Sequence, residues 1–246
     1  MESENLSTAA LVQRNLLASR STENRARRGS QNDTPPELTS IMTWLLIVIV
    51  SYFIGSIPSG YLVARTQGVD IRQHGSRNIG ATNVLRVMGK KWGYLVFLCD
   101  ASKGFLAVKF GMLVAAHALL SPVLGGVIAA TTCILGHNYT IWLGFKGGKG
   151  IATSGGVILA LFPIAVVCCL ALVWIAVFYA GKYVSLASIA AAVALPVAVF
   201  LIVAKTGEEF WTLFGFSVLI CALAVWRHQA NIVRLMNGTE SRFGKK

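Results

Sequence analysis

Charged residues are scarce in this sequence of 246 residues: they make up 13% of the chain, against about 25% in a typical soluble domain. Hydrophobic residues account for 55%. This composition excludes an ordinary soluble domain and predicts an all-α protein that crosses a membrane several times. The net charge is +12. A basic excess also arises from the cytoplasmic loops of membrane proteins, so we expect no nucleic-acid partner.

Cysteine is also rare, with five residues that lie in or beside apolar segments. Their spacing does not match a metal site, and small buried hydrophobic residues explain them. Residues 1–40 lack aromatic residues and any long apolar run, so they contain neither a folded core nor a secretory signal. We expect a disordered polar tail over 1–40 and an integral membrane domain over 41–246. The compact protein begins near Met42, either after that tail or because translation starts there.

Apolar stretches after the tail predict a bundle of about seven transmembrane helices in one domain, since each span needs about 20 apolar residues. The fourth stretch is short and ends at Pro163, which is typical of a half-helix or of the first part of a bent span. The predicted spans are 41–64, 92–116, 120–136, 151–162, 164–180, 186–204 and 210–226.

The second predicted span contains Asp100, Lys103 and Lys109. Charges inside a membrane are costly and are usually paired or functional. Asp100 and Lys103 are one helical turn apart, so we expect a structural ion pair in the cytoplasmic half of this span. A direct catalytic role is the alternative.

Basic residues concentrate in the connections on one side of such a bundle. Between spans, the opposite side has only Lys205, next to Glu208 and Glu209. The positive-inside rule makes the basic face cytoplasmic. The same rule puts the N-terminal tail outside, although the tail contains five arginines. Its positive and negative charges balance and most of them are far from the first span, so we keep this assignment. The basic connections are loop 65–91, loop 137–150, the turn at 181–185 and the C-terminal tail.

Each basic connection contains residues suited to phosphate. The loop from Asp70 to Arg86, DIRQHGSRNIGATNVLR, combines glycines for tight turns with hydroxyl, amide and guanidinium groups. A solvated basic loop is the alternative. In FKGGKGIAT, Lys146 and Lys149 flank two glycines just before a predicted helix, a pattern that predicts an anion site. It is not a Walker A motif, because Gly150 follows Lys149, and a flexible hinge is the alternative.

Two further clusters lie near the end of the chain. Ser185 follows the tight turn GKYVS, where capping of the next helix is the alternative to a functional role. His228, Asn231 and Arg234 recur every three residues and therefore share one helix face. A basic helix lying on anionic lipid would show the same pattern.

Taken together, six blocks in fixed order resemble the bacterial acyl-phosphate:glycerol-3-phosphate acyltransferases. The resemblance spans residues 42–246 and implies a seven-helix protein of the inner membrane with a cytoplasmic active site. The blocks are GSIPSGYLVAR, GVDIRQHGSRNIGATNVLRVMGKK, DASKGF, GHNYTIWLGFKGGKGIATSGG, YVSLASI and RHQANIVRL.

The resemblance implies transfer of a fatty acyl group from acyl phosphate to the primary hydroxyl of glycerol 3-phosphate. The products are lysophosphatidic acid and phosphate, in the first step of phospholipid synthesis. No cofactor or metal is implied, and the partners are the two substrates, membrane lipid and an upstream enzyme that forms acyl phosphate. The His-x4-Asp motif of other glycerophosphate acyltransferases is absent here.

Residues that match the family's motifs are expected to form the site. Arg77 departs from the family, which has glycine there. If that position needs a positive φ, Arg77 strains the loop, and if it does not, Arg77 adds another positive charge for phosphate. The expected catalytic residues are Ser76, Ser185, His228 and Asn231, and the expected ligands of substrate phosphate are Asn78, Arg86, Lys146, Gly147, Gly148 and Lys149.

Acyl phosphate is already activated, so direct attack by the glycerol hydroxyl requires no enzyme nucleophile. The proton goes either to His228 or to the donor's own phosphate oxygen, and Ser76 as a covalent nucleophile is a third route. A phosphate-ester transporter is the rival function, with a scaffold protein as another. Polar groups gathered at one membrane face favour the enzyme.

Overall fold

The structure is a computed structural model that describes residues 36–244. Most of the predicted tail, residues 1–35, lies outside the described residues. The chain divides into two units, Met1–Met42 and Thr43–Lys246. The packing and the site described below belong to the second unit.

Helices dominate residues 36–244, and this part of the chain contains no strand. Two short 3-10 helices, Ile71–Gln73 and Ile141–Leu143, lie in the connecting loops. The α-helices are α1 Pro36–Ser56, α2 Ser59–Arg65, α3 Ala81–Met88, α4 Lys90–His117, α5 Pro122–Asn138, α6 Ile151–Leu161, α7 Ile164–Gly181, α8 Val184–Ile202, α9 Gly207–Arg227 and α10 Gln229–Met236.

The predicted span 41–64 lies within the apolar stretch Glu37–Arg65, which is long enough to cross a membrane, but its helix is interrupted. Helix α1 ends at Ser56, and α2 starts again after Ile57 and Pro58. Proline lacks the N–H that an α-helix needs and disfavours helical geometry in the residue before it, so the helix breaks here. The other predicted spans coincide with α4 to α9 to within a few residues at their ends.

Four stretches of the described residues are long and apolar enough to cross a membrane: Glu37–Arg65, Ile164–Gly181, Val184–Ile202 and Gly207–Arg227. Helix α6 is apolar but has only 11 residues. Helix α4 is long but carries the charges of Asp100, Lys103 and Lys109. An all-helical membrane architecture is therefore confirmed.

An apolar core joins α4 to α9. Its buried members include Val108 of α4, Ile134 of α5, Val157 of α6, Leu195 of α8 and Phe216 of α9. Glycines let neighbouring helices approach closely, as is common between membrane helices. A Cβ added at Gly156 of α6 would overlap the backbone of Ala101 in α4. This close packing fixes the start of α6, from which the glycine-rich loop projects.

Candidate active site

Three of the four basic connections make direct contact with one another. Lys149, in the loop before α6, donates a hydrogen bond from Nζ to Oδ1 of Asn231 in α10. The Arg227 guanidinium, at the end of α9, donates to the Gly148 carbonyl at 2.7 Å. Ser185, at the start of α8, donates to Glu240 Oε1 at 2.7 Å. We call the assembly the polar cluster, formed by Lys149, Ser185, Arg227, His228, Asn231, Arg234 and Glu240.

Electrostatics link the fourth connection to the polar cluster. Lys149 is largely buried, and its pKa is lowered to about 8, mainly by that burial. The positive charges of Arg234, Arg227 and Arg86 lower the pKa further, whereas Glu240 raises it. Arg86 of α3 therefore lies within electrostatic reach of Lys149, and its own side chain is exposed. The four basic connections therefore lie within reach of one another.

His228 occupies the junction between α9 and α10. Its side chain is buried, and Nδ1 lies 2.7 Å from the Ala224 carbonyl oxygen, which can only accept a hydrogen bond. Nδ1 therefore carries the proton, and Nε2 of the neutral ring keeps its lone pair. Burial lowers the pKa of His228 to about 4, so the ring is neutral at pH 7. His228 is thus oriented to accept a proton.

Glu240 is a site residue that the sequence reasoning missed. Its carboxylate accepts hydrogen bonds from Ser185 at 2.7 Å, Asn231 at 2.7 Å and Arg234 at 2.7 Å. Burial raises the pKa of Glu240, but these three donors outweigh it and hold the pKa below its usual value. One signal was available: Glu240 is the only acidic residue after Glu209 in a basic tail.

Ser185 does not cap α8, so that alternative is wrong. The residue at the N-cap position is Tyr183, and no side chain provides a capping hydrogen bond there. The Ser185 hydroxyl instead points to Glu240. Asn231 and Arg234 bind the same carboxylate, which confirms that they share one face of α10.

The glycine-rich loop lies flat against the end of α5. The amides of Gly147 and Gly148 donate to the carbonyls of Asn138 at 3.1 Å and His137 at 3.0 Å. A Cβ at either glycine would overlap His137. The two amides are thus engaged in this conformation, and the glycines provide close packing. Lys146 projects from the loop with an exposed side chain.

The first loop is organised by Asn83, which is buried at the start of α3. Its Oδ1 accepts from the Ser76 amide at 2.8 Å, and its Nδ2 donates to the carbonyls of Asn78 at 2.8 Å and His74 at 3.0 Å. Asn78 in turn accepts from the Gly80 amide through Oδ1 at 2.8 Å. These contacts keep Ser76 and Asn78 within their own loop, whereas Lys149, Ser185, His228 and Asn231 are brought together.

Arg77 has a φ of +59°, in the left-handed region that favours glycine. Strain was one of the two outcomes expected from the sequence, and the positive φ of Arg77 bears it out. The loop conformation is therefore less stable with arginine at this position than it would be with glycine.

An apolar cavity of about 870 Å³ borders the polar cluster. It lies between α4, α6, α7, α8 and α9 and has a volume typical of a ligand pocket, roughly 300–1,000 Å³. Ile151 and Ser154, in the first turn of α6, and Ala224, the hydrogen-bond partner of His228, line the cavity. Trp174 lines it as well and donates to Ser188 at 3.3 Å. Lys149 and His228 are thus direct neighbours of residues in the cavity wall.

Comparison with known proteins gives a consistent result. The family model described as "Glycerol-3-phosphate acyltransferase" matches residues 45–238. A protein of that name from Desulforudis audaxviator is 45% identical over 205 residues, which cover 83% of this chain and 98% of the relative. Another from Thermosynechococcus vestitus is 42% identical over 214 residues, covering 84% and 98%.

Two solved structures are also similar. Both are crystal structures of PlsY (YgiH), described as an integral membrane glycerol 3-phosphate acyltransferase. The glycerol 3-phosphate form has a TM-score of 0.72 and 41% identity, over 82% of this chain and 96% of that chain. The lysophosphatidic acid form has a TM-score of 0.71 and 39% identity, over 82% and 95%.

Proposed function

This chain belongs to the glycerol-3-phosphate acyltransferase family, and from that premise we propose that it transfers a fatty acyl group from acyl phosphate to the primary hydroxyl of glycerol 3-phosphate. The products are lysophosphatidic acid and inorganic phosphate. The observation that carries the proposal is the apolar cavity of about 870 Å³, whose wall includes Ala224, the hydrogen-bond partner of His228, and Ile151, two residues after Lys149. Such a site suits a donor with a greasy chain and an anionic head.

Three cations are available for the phosphate groups of the two substrates. Lys149 and Arg86 lie within electrostatic reach of each other, and Lys146 extends from the same loop as Lys149. Because guanidinium and ammonium groups bind phosphate by charge-assisted hydrogen bonds, we assign all three to phosphate binding. We also assign Ser76 and Asn78 to substrate binding, because both match the family's motifs, and Asn83 holds them within the first loop.

The reaction needs no covalent enzyme intermediate. The primary hydroxyl oxygen attacks the acyl carbonyl carbon, a new C–O ester bond forms, and the bond from the acyl carbon to the phosphate oxygen breaks. Phosphate leaves with the electron pair of that bond. The cluster's cations stabilise negative charge as it develops, and the loops hold the two substrates together.

Two groups compete for the hydroxyl proton. His228 has its Nε2 lone pair available, but a pKa of about 4 makes it a weak base in the empty site. The other candidate is an oxygen of the donor's own phosphate, which can carry the proton away when phosphate leaves. Two bound phosphates would raise the pKa of His228, so both routes stay open. A His228→Ala variant that keeps most of its kcat would exclude histidine as the essential base.

We further propose seven spans, with the polar cluster on the cytoplasmic face of a bacterial inner membrane. The broken pair α1–α2 forms the first span, and α4 to α9 form the other six. The basic connections then all face the cytoplasm, as the positive-inside rule requires. Soluble glycerol 3-phosphate would reach the site from that side, and an upstream enzyme that forms acyl phosphate would supply the donor.

The proposal is tested by product analysis. Purified protein is incubated in lipid with glycerol 3-phosphate and palmitoyl phosphate, and the lipids are analysed by mass spectrometry. Lysophosphatidic acid that appears only with both substrates is the expected result, and Arg86→Ala should raise KM or abolish turnover. Well-folded protein that forms no product, yet moves phosphate esters into proteoliposomes, would show a transporter instead.

A further inference from the structure

A charged cluster buried beneath the glycine-rich loop has no part in the mechanism above. Asp100 and Lys103 lie on α4, and His137 lies at the end of α5. Their exposed fractions are 1%, 6% and 5%. The expected ion pair is confirmed, with Lys103 Nζ at 2.8 Å from Asp100 Oδ1. We call these three residues the buried triad.

Lys103 joins three separate parts of the chain at one atom. Its Nζ contacts Asp100 Oδ1 at 2.8 Å, the Ile57 carbonyl at 2.8 Å and His137 Nδ1 at 2.9 Å. An ammonium group has three protons and only donates hydrogen bonds. Lys103 therefore donates hydrogen bonds to the Ile57 carbonyl and to Nδ1 of His137, and it forms an ion pair with Asp100. The break between α1 and α2 and the end of α5 are thus both tied to α4.

His137 passes this constraint to the glycine-rich loop. Its carbonyl accepts from the Gly148 amide at 3.0 Å, and the next carbonyl, of Asn138, accepts from Gly147 at 3.1 Å. The ring lies against Gly148, where a Cβ would overlap Nε2. Lys149 follows Gly148 directly, so a shift of His137 moves the lysine that contacts Asn231.

Stability alone does not explain the buried triad. Removing two charges from water is costly, and replacing a buried ion pair with apolar residues is often neutral or stabilising. Lys103 contacts His137, which holds the loop from below, while Arg227 holds the Gly147 and Gly148 carbonyls from the other side.

We propose that Lys103 is a positioning residue that holds the glycine-rich loop, through His137, where Lys149 can bind the substrate's phosphate. The identity of the bound anion rests on the proposed function. The mechanical link from Lys103 to the loop does not, and it can be measured without turnover.

The first test uses the double variant Asp100→Asn/Lys103→Met, which removes both buried charges together and leaves neither unpaired. Hydrogen exchange of a peptide covering residues 144–150 reports directly on the Gly147 and Gly148 amides. We expect faster exchange in this peptide, a KM for glycerol 3-phosphate raised by about 10- to 100-fold, and a smaller change in kcat. Lys109→Met is the matched control, because Lys109 is an exposed lysine of the same helix, and it should change neither quantity.

Two variants of His137 test the positioning role of Lys103 if the double variant does not fold. His137→Leu removes the acceptor for Lys103 but leaves the Asp100–Lys103 ion pair, whereas His137→Asn keeps an acceptor close to the position of Nδ1. Faster exchange and a raised KM in the leucine variant, with recovery in the asparagine variant, support the proposal.

Folded variants with the wild-type exchange of residues 144–150 would overturn the positioning role, whatever reaction the protein catalyses. A wild-type protein that forms no lysophosphatidic acid, but whose loop exchanges faster in the variants, would overturn only the assignment of the substrate.

Discussion

Individual side chains in the polar cluster depend on one another for their charge. Lys149 loses part of its basicity through burial and through three neighbouring arginines, and Glu240 restores some of it. His228 is kept neutral by burial and oriented by the Ala224 carbonyl. A phosphate that enters this cluster adds negative charge, which favours the protonated form of Lys149. Binding and protonation are therefore coupled.

This coupling predicts a pH dependence. Lys149 attracts phosphate only when protonated, and its pKa in the empty site is about 8. We expect kcat/KM for glycerol 3-phosphate to fall as the pH rises through about 8. Lys149→Arg should extend activity to higher pH, because arginine stays charged. Identical profiles for the two proteins, measured by initial rates from pH 6 to 10, would contradict this assignment.

Arg77 provides a second prediction for a single residue. Its φ of +59° is unfavourable for any residue with a Cβ. Arg77→Gly should stabilise the protein by about 1 kcal/mol, and Arg77→Ala should not, because alanine keeps the Cβ. Thermal unfolding in detergent measures both. Equal melting temperatures for the glycine and alanine variants would show that the backbone carries no strain here.

The glycine-rich loop behaves as a rigid structural element because both its amides and its carbonyls make hydrogen bonds. The end of α5 binds the amides of Gly147 and Gly148, and Arg227 binds their carbonyls. The loop therefore presents Lys146 and Lys149 from a fixed backbone. A flexible hinge, the alternative considered from the sequence, would not have its amides and carbonyls bound on both sides.

Gly148→Ala tests this element. The added Cβ would overlap the His137 ring and displace the loop, so we expect kcat/KM to fall by about 100-fold. Gly215→Ala is the control, since a Cβ there has no atom within 4 Å and Gly215 lies within α9. A Gly148→Ala enzyme with wild-type kinetics would show that the loop tolerates movement.

Much of the helical layout follows from the sequence, because long apolar runs allow few alternatives. The ends of helices α4 to α9 were predicted to within about three residues, and Pro163 marks the start of α7. The break at Pro58 was missed because apolar runs lie on both sides of the short stretch GSIPSG that contains it. Local composition does not show that Lys103 binds the carbonyl of Ile57 at this break.

Sequence motifs predicted the members of the site better than their roles. The structure brings together Lys149, Ser185, His228 and Asn231, as expected from basic connections on one side of the bundle. The function of Glu240 depends on a tail that folds back onto Ser185, 55 residues away in the chain. The sequence does not single out Asn83, since its four backbone contacts follow from the loop's path. Contacts of this kind are tertiary and have no local signature.

At the scale of the whole molecule, an apolar cavity lies next to the polar cluster. The cavity lies within the bundle, and the polar cluster lies at the ends of the same helices. One ligand can therefore place its chain in the apolar part and its head among the cations. A transporter would instead need binding groups near the membrane midplane.

The cavity makes a prediction about chain length. Ala171→Phe puts a ring into its wall on α7, which should lower kcat/KM for 16-carbon acyl phosphates more than for 8-carbon ones. Ala176→Phe is the control, because Ala176 is exposed on the same helix and is not part of the cavity wall. Competition between the two donors measures the ratio, and equal losses for both would place the acyl chain elsewhere.

The central claim is that this site uses acyl phosphate as its donor. The most direct measurement is the rate of phosphate release from palmitoyl phosphate by purified protein, with and without glycerol 3-phosphate, beside a parallel reaction with palmitoyl-CoA. The account predicts phosphate release that requires glycerol 3-phosphate and matches lysophosphatidic acid one for one, with no product from palmitoyl-CoA. Product from palmitoyl-CoA, without turnover of palmitoyl phosphate, would contradict it.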